Sequence, residues 1–313
     1  MTRTPALRAI AAVIAGAIAS TATAQSDPKP APHRLERLHN LMGGDLEDGT
    51  DNTRSARSAP AGTRLIPDIP YGADPAQRFD VYVSTKPPAS VAPAPVIFFV
   101  HGGGWARGDK TNHQVVEPKI AHWVDAGYVV ISTNYRMLPT PVAQQAEDVA
   151  AAIAFAQTQA GLWGGDPKRF VLMGHSAGAH LVALVGAGAR NAARPQAWRA
   201  TVMLDSAALD VPAVMSNRHF GLYDRAFGSD PRQWAAVSPI AQLTRGTAPM
   251  LAVCSSRRKE SCPAADRFAA RANGLGGKVR VLREDLSHME INATLGAASD
   301  YTAKVDAFLQ SVR

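Results

Sequence analysis

Sulfur is scarce in this chain: Cys254 and Cys262 are the only cysteines among 313 residues. That excludes a disulfide-dense scaffold, and no ligands at metal spacing flank the pair to build a zinc site. Blocks of one charge are missing too. The formal charge is +7, yet lysine and arginine are spread along the chain. A nucleic-acid partner needs a concentrated basic patch, so none is expected. Past the first two dozen residues, no apolar run is long enough to cross a bilayer as a helix. Extended disorder is excluded from the other side, because 46% hydrophobic residues supply a substantial core.

The N-terminus is of a different kind. "MTRTPALR" carries Arg3 and Arg8, "AIAAVIAGAIA" is apolar throughout, and small residues lead to Ala24. This is the pattern of a secretory signal peptide over residues 1–24, with the mature chain beginning near Gln25 in the periplasm or the medium. Losing two arginines leaves 7 − 2 = +5. Residues 25–64 are rich in Pro, Gly, Ser, Thr and charge. They read as a poorly ordered arm with one helix-like island, "RLERLHNLM".

From residue 65 to 313 the pattern changes, and one domain is expected. "FDVYVS", "VIFFVHG", "YVVISTNY", "RFVLMGH", "TVMLDSA", "PMLAVCSS" and "KVRVLRE" read as strands, separated by helical stretches. In the last helix Val305, Phe308, Leu309 and Val312 fall at i, i+3, i+4 and i+7, one apolar face. Runs such as "VIFFV" and "FVLM" are apolar on both faces, as in a covered parallel sheet. The expected fold class is α/β, a three-layer sandwich with a mostly parallel sheet. Chemistry then collects at the carboxyl ends of the strands.

Two strand ends carry glycine-rich turns. "FVLMGHSAGAHLVALVG" runs strand, Gly174-His175-Ser176-Ala177-Gly178, helix. That is the G-x-S-x-G elbow, which exposes a serine hydroxyl on a strained turn at a helix N-terminus. "VIFFVHGGGWARGDK" runs a strand into His101-Gly102-Gly103-Gly104-Trp105. Consecutive glycines let backbone N–H groups converge on one oxyanion. A phosphate cradle is disfavoured because no Lys-Ser/Thr closes the loop.

"HGGGW" followed by "GHSAGAH", with "SxNYR" at 132–136 and "GGDPKRF" at 164–170, resembles the α/β-hydrolase superfamily. More narrowly it is similar to the hormone-sensitive-lipase and carboxylesterase type, and to kynurenine formamidases. The resemblance implies an α/β-hydrolase fold and an oxyanion hole built from Gly103, Gly104 and Ala177. It also implies a base after the last strand, which singles out His288 in "LREDLSHMEIN" from the nine histidines.

The acid of such a triad is expected between serine and histidine, after the strand "PMLAVCSS". That strand ends at Cys254, and the chain returns to Cys262 across "SSRRKES". In an oxidising compartment the pair is expected to form a disulfide. Closing a loop of this size removes about 2.6 kcal/mol of unfolded-chain entropy. Glu260, the one carboxylate inside, is the expected partner of His288 Nδ1, with Asp266 and then Asp210 as alternatives. Asp285 stands too close to His288 in sequence.

Together these readings predict a cofactor-free and metal-free serine hydrolase. Ser176, His288 and Glu260 form the triad, and small-molecule carboxylic esters are cleaved through an acyl-enzyme. Formamide hydrolysis and a non-catalytic binding role are the alternatives. The segment 211–240 reads as a small cap on the pocket, with Trp105 as a further wall, and Arg107 and Lys110 as solvated surface.

Overall fold

The computed structural model describes residues 59–87, 91–188, 193 and 195–312. The expected signal peptide, the helix-like island and most of the 25–64 arm lie outside the described residues.

Eight strands form one sheet: β1 (Thr63–Pro70), β2 (Arg78–Ser84), β3 (Ala94–Val100), β4 (Val129–Thr133), β5 (Gly165–His175), β6 (Ala200–Leu204), β7 (Met250–Ser255) and β8 (Val279–Glu284). Their order is β1-β2-β4-β3-β5-β6-β7-β8. At one edge β2 pairs antiparallel with both β1 and β4; the remaining pairings are parallel. Seven strands are those the apolar runs predict. β1 is the eighth, and it begins at Thr63, inside the expected arm. Its signal is weak for a physical reason. It is an edge strand with Pro67 and Pro70, a register shift between Ile66 and Ile69, and alternating half-burial.

The central strands bury both faces. On β3, Val96, Phe98 and Val100 point into one core while Ile97 and Phe99 point into another. The first core is covered by α2 (Val142–Gln159), α3 (Ala177–Gly186) and α8 (Ser261–Gly274). The second is covered by α1 (His113–Asp125), α9 (His288–Ala293) and α10 (Asp300–Ser311). Each fully buried Phe or Ile contributes about 1.5–3 kcal/mol, so such strands hold their register firmly. All ten residues of α3 are buried, nine of them apolar or glycine and the tenth His180.

Between β6 and β7 the chain makes four short helices: α4 (Val211–Met215), α5 (Gly221–Phe227), α6 (Pro231–Trp234) and α7 (Pro239–Gln242). They lie where a cap is expected. Lys110 departs from expectation. It is buried, with Nζ 2.7 Å from Asp80 Oδ1 and 2.9 Å from Asp68 Oδ1. It ties the glycine loop to the antiparallel edge rather than meeting solvent. Among the described residues, no helix is long and apolar enough to cross a membrane.

Candidate active site

Ser176 stands between β5 and α3 with φ 53° and ψ −117°. The turn is forced by close packing. A Cβ on Gly174 would sit 2.4 Å from Gly178 O, and one on Gly178 would sit 2.2 Å from Val100 O. Only glycine fits at either position, so strand and helix approach and the serine is left partly exposed at the sheet rim.

The glycine loop leaves β3 beside it. Gly103, Gly104 and Trp105 all have positive φ: 113°, 59° and 60°. Gly104, Trp105, Ser176, Ala177 and His288 line one small cavity, which also reaches Asp205, Ser206, Leu222 and Arg258. Gly103 instead lines the neighbouring cavity behind the loop, where its Cβ position is closed by Arg107 O at 2.0 Å.

Trp105 is buried and forms a wall. Its ring packs on Phe227 at 4.9 Å and Tyr223 at 5.9 Å, and its indole N–H donates to His180 Nδ1 at 3.3 Å. His180 Nε2 donates to Val237 O at 2.8 Å. One neutral tautomer serves both bonds, and burial pushes the His180 imidazole down to about 4. The ring thus joins glycine loop, elbow helix and cap. From the 211–240 segment Leu222 and Tyr223 reach the cavity. Trp234 is half-buried against the core, its indole donating to Gly228 O, and His219 pairs with Asp224.

His288 is the first residue of α9, which opens with a capping box: Ser287 accepts from the Glu290 N–H, and Glu290 accepts from the Ser287 N–H. His175 donates from Nε2 to His288 O at 3.0 Å, and the two rings stand 4.4 Å apart. His288 Nδ1 donates to a carboxylate at 2.6 Å, and that carboxylate belongs to Asp205.

This corrects the acid. Glu260 is exposed at the start of α8, whereas Asp205 is fully buried directly after β6. The alternatives are engaged elsewhere as well. Asp266 pairs with Arg283, Asp210 caps α4, and Asp285 pairs with Arg257. A chain position near the end of β7 proved insufficient, because Glu260 leaves the loop on its solvent side. Asp205 was legible in principle. It is the first polar residue after five fully buried ones in "ATVML", and a carboxylate attached to a buried strand must find donors.

The donors are there. Asp205 Oδ1 accepts the Ser255 N–H at 2.8 Å and the Ser261 hydroxyl; Oδ2 accepts His288 Nδ1 and, at 2.7 Å, Arg258 Nη1. Arg258 Nη1 and His288 Nδ1 stand 3.0 Å apart because they converge on one oxygen. Burial alone would raise the Asp205 carboxyl. The hydrogen bond from His288, the Arg258 charge and the Ser261 hydroxyl outweigh it and hold the group well below the usual range.

Cys254 and Cys262 are joined in a disulfide. The loop it closes presents Arg258 and Ser261 to Asp205, not Glu260 to His288. Among the described residues, no group of three or more His, Cys, Asp or Glu is placed to hold a metal ion.

The BD-FAE family model matches residues 79–224, which span the glycine loop, the elbow and the first part of the cap. Carboxylesterase NlhH of Mycobacterium tuberculosis is 33% identical over 145 residues, covering 44% of each chain. Esterase LipC of the same organism is 31% identical over 212 residues, 60% of this chain and 49% of that one. The chain therefore spans under half the length of these curated relatives. Among solved structures, esterase B from Lactobacillus rhamnosis superposes with a TM-score of 0.66 at 17% identity, covering 90% of this chain and 92% of that one. At that identity the likeness is one of fold, and the fold is the α/β-hydrolase fold.

Proposed function

Taking as premise that the chain is an α/β-hydrolase of the esterase and lipase type, we propose that it hydrolyses small-molecule carboxylic esters through a Ser176 acyl-enzyme. His288 removes the Ser176 proton as the hydroxyl attacks the ester carbonyl. Asp205 holds the imidazole in the tautomer that leaves Nε2 free, and its charge stabilises the imidazolium that forms. The oxyanion is received by the N–H groups of Ala177 and of Gly103 and Gly104; one such donor is worth about 3 kcal/mol in the transition state. His288 then protonates the leaving alcohol and activates water to release the acid.

The observation that carries this reading is the dry Asp205–His288 pair at the rim of the cavity that Ser176 also lines. A fluorophosphonate probe is expected to label Ser176 in the full chain and to leave Ser176→Ala unlabelled. Turnover of p-nitrophenyl acetate is expected to fall by about 10⁶-fold in that variant, as loss of a triad serine does elsewhere. Labelling that persists in Ser176→Ala would refute the assignment. N-formylkynurenine as a parallel substrate tests ester against formamide preference.

The same proposal places the enzyme outside the cytoplasm. The signal-type residues 1–24 and the disulfide both support export. Sequencing the N-terminus of the protein recovered from periplasm and medium tests it; a chain that retains Met1 in the cytosol would contradict it.

A further inference from the structure

We propose that the disulfide-bracketed loop 254–262 is an orienting clamp for the acid–base pair, with Arg258 as its positioning residue acting through Asp205. The proposal rests on the hydrolase reading above and assigns the loop a part in it.

Apart from His288, the side-chain and main-chain groups that bond the Asp205 carboxylate come from this one segment. Ser255 N–H and the Ser261 hydroxyl take Oδ1, and Arg258 Nη1 takes Oδ2. Arg258 also reaches the Asp205 carbonyl at 3.3 Å. The segment grips the other partner too. Ser255 Oγ donates to Leu286 O at 2.5 Å, two residues before His288. Arg257 contacts Asp285 at 2.9 Å and Glu290 at 3.1 Å, on either side of it. Cys254 fixes one end of the segment to buried β7, and Cys262 fixes the other in the first turn of α8.

Charge gives Arg258 its role. Asp205 has no exposed side-chain surface, and Arg258 has 18%. The guanidinium is always charged, so it is the standing counter-charge of a buried anion. When His288 takes the serine proton, Asp205 is shared between two cations on the same oxygen. The other titratable groups facing the pair are His175, its ring tilted against that of His288, and the Tyr301 phenol, which burial, then the Glu284 and Asp205 charges, keep protonated. Neither carries a permanent charge. Removing Arg258 therefore makes Asp205 easier to protonate and a resident proton on His288 easier to keep. Both effects move the acid limb of activity toward higher pH.

The test is kcat and KM for p-nitrophenyl acetate against pH, with thermal unfolding alongside. It uses the full chain as wild type, Arg258→Met, Arg258→Gln, Arg258→Lys and Cys254→Ala/Cys262→Ala. Arg258→Met and Arg258→Gln are expected to shift the acid limb of kcat/KM up by about one pH unit. Their kcat is expected to fall roughly tenfold to a hundredfold with KM little changed. Arg258→Lys, which keeps the charge, is expected to restore the limb. The double cysteine variant is expected to move in the same direction by less. Arg258→Met and Arg258→Gln variants that lose activity evenly at all pH values, or that match wild type, would overturn the clamp. So would an Arg258→Lys no better than Arg258→Met. Those failures leave Ser176 labelling and wild-type turnover intact, whereas a wild type lacking both ends the hydrolase reading and the clamp with it.

Discussion

The ends of β6 and β7 lie side by side on the same rim of the sheet, and they carry opposite charge. After β6 comes Asp205, wholly buried, with four donors on its two oxygens. After β7 comes a charged, mostly exposed loop whose acid, Glu260, faces water and whose base, Arg258, turns inward. The difference separates position along the chain from position in the dielectric. A carboxylate in water is screened and makes no lasting demand on its neighbours, while one attached to a buried strand is costly unless donors surround it. The disulfide loop supplies those donors instead of supplying the acid.

Replacing the two carboxylates separately breaks or confirms the contrast most directly. Asp205→Asn is expected to lower kcat for p-nitrophenyl acetate by about 10⁴-fold, through the wrong histidine tautomer. Glu260→Gln is expected to stay close to wild type. Equal losses in both variants would erase the distinction drawn between the two strand ends.

The same rim offers a third case, an ionisable group kept dry and neutral rather than dry and charged. His180 has a folded-state value of about 4 against 6.5 when free. Between those values the unfolded chain binds the proton and the folded chain does not, so stability is present above pH 6.5 and is lost as pH falls toward 4. The contribution lost is about 3 kcal/mol, from the size of the shift. Urea unfolding of wild type and His180→Phe across this window measures it; a parallel decline in both would remove His180 as the cause.

The smallest effect sharpens the comparison from the exposed side. Asp266 meets Arg283 at 2.6 Å on a half-exposed surface. Asp266→Asn is expected to change stability by no more than about 1 kcal/mol and to leave kcat unaltered, because solvent screens such pairs. A large loss of activity would bring Asp266 back as the acid.

Much of this was open to reading along the chain. Apolar and β-branched runs marked seven of the eight strands, and the spacing Gly174-x-Ser176-x-Gly178 marked the elbow because two glycines are a steric necessity there. Gly102 to Gly104 marked the loop beside it, and His288 followed the last strand. β1 escaped because an edge strand with two prolines carries little pattern. The acid escaped because several carboxylates lay within sequence range and one-dimensional order cannot rank them by burial.

Residue identity and spacing by themselves determined the fold class, the elbow and the glycine loop, since local sterics and hydrophobic period act over a few residues. Which carboxylate meets the imidazole, and that Arg258 rather than Glu260 turns inward from the disulfide loop, was decided only in three dimensions. Burial and donor geometry at Asp205 arise from segments 50 and 83 residues away in the chain, and no local pattern encodes such a meeting.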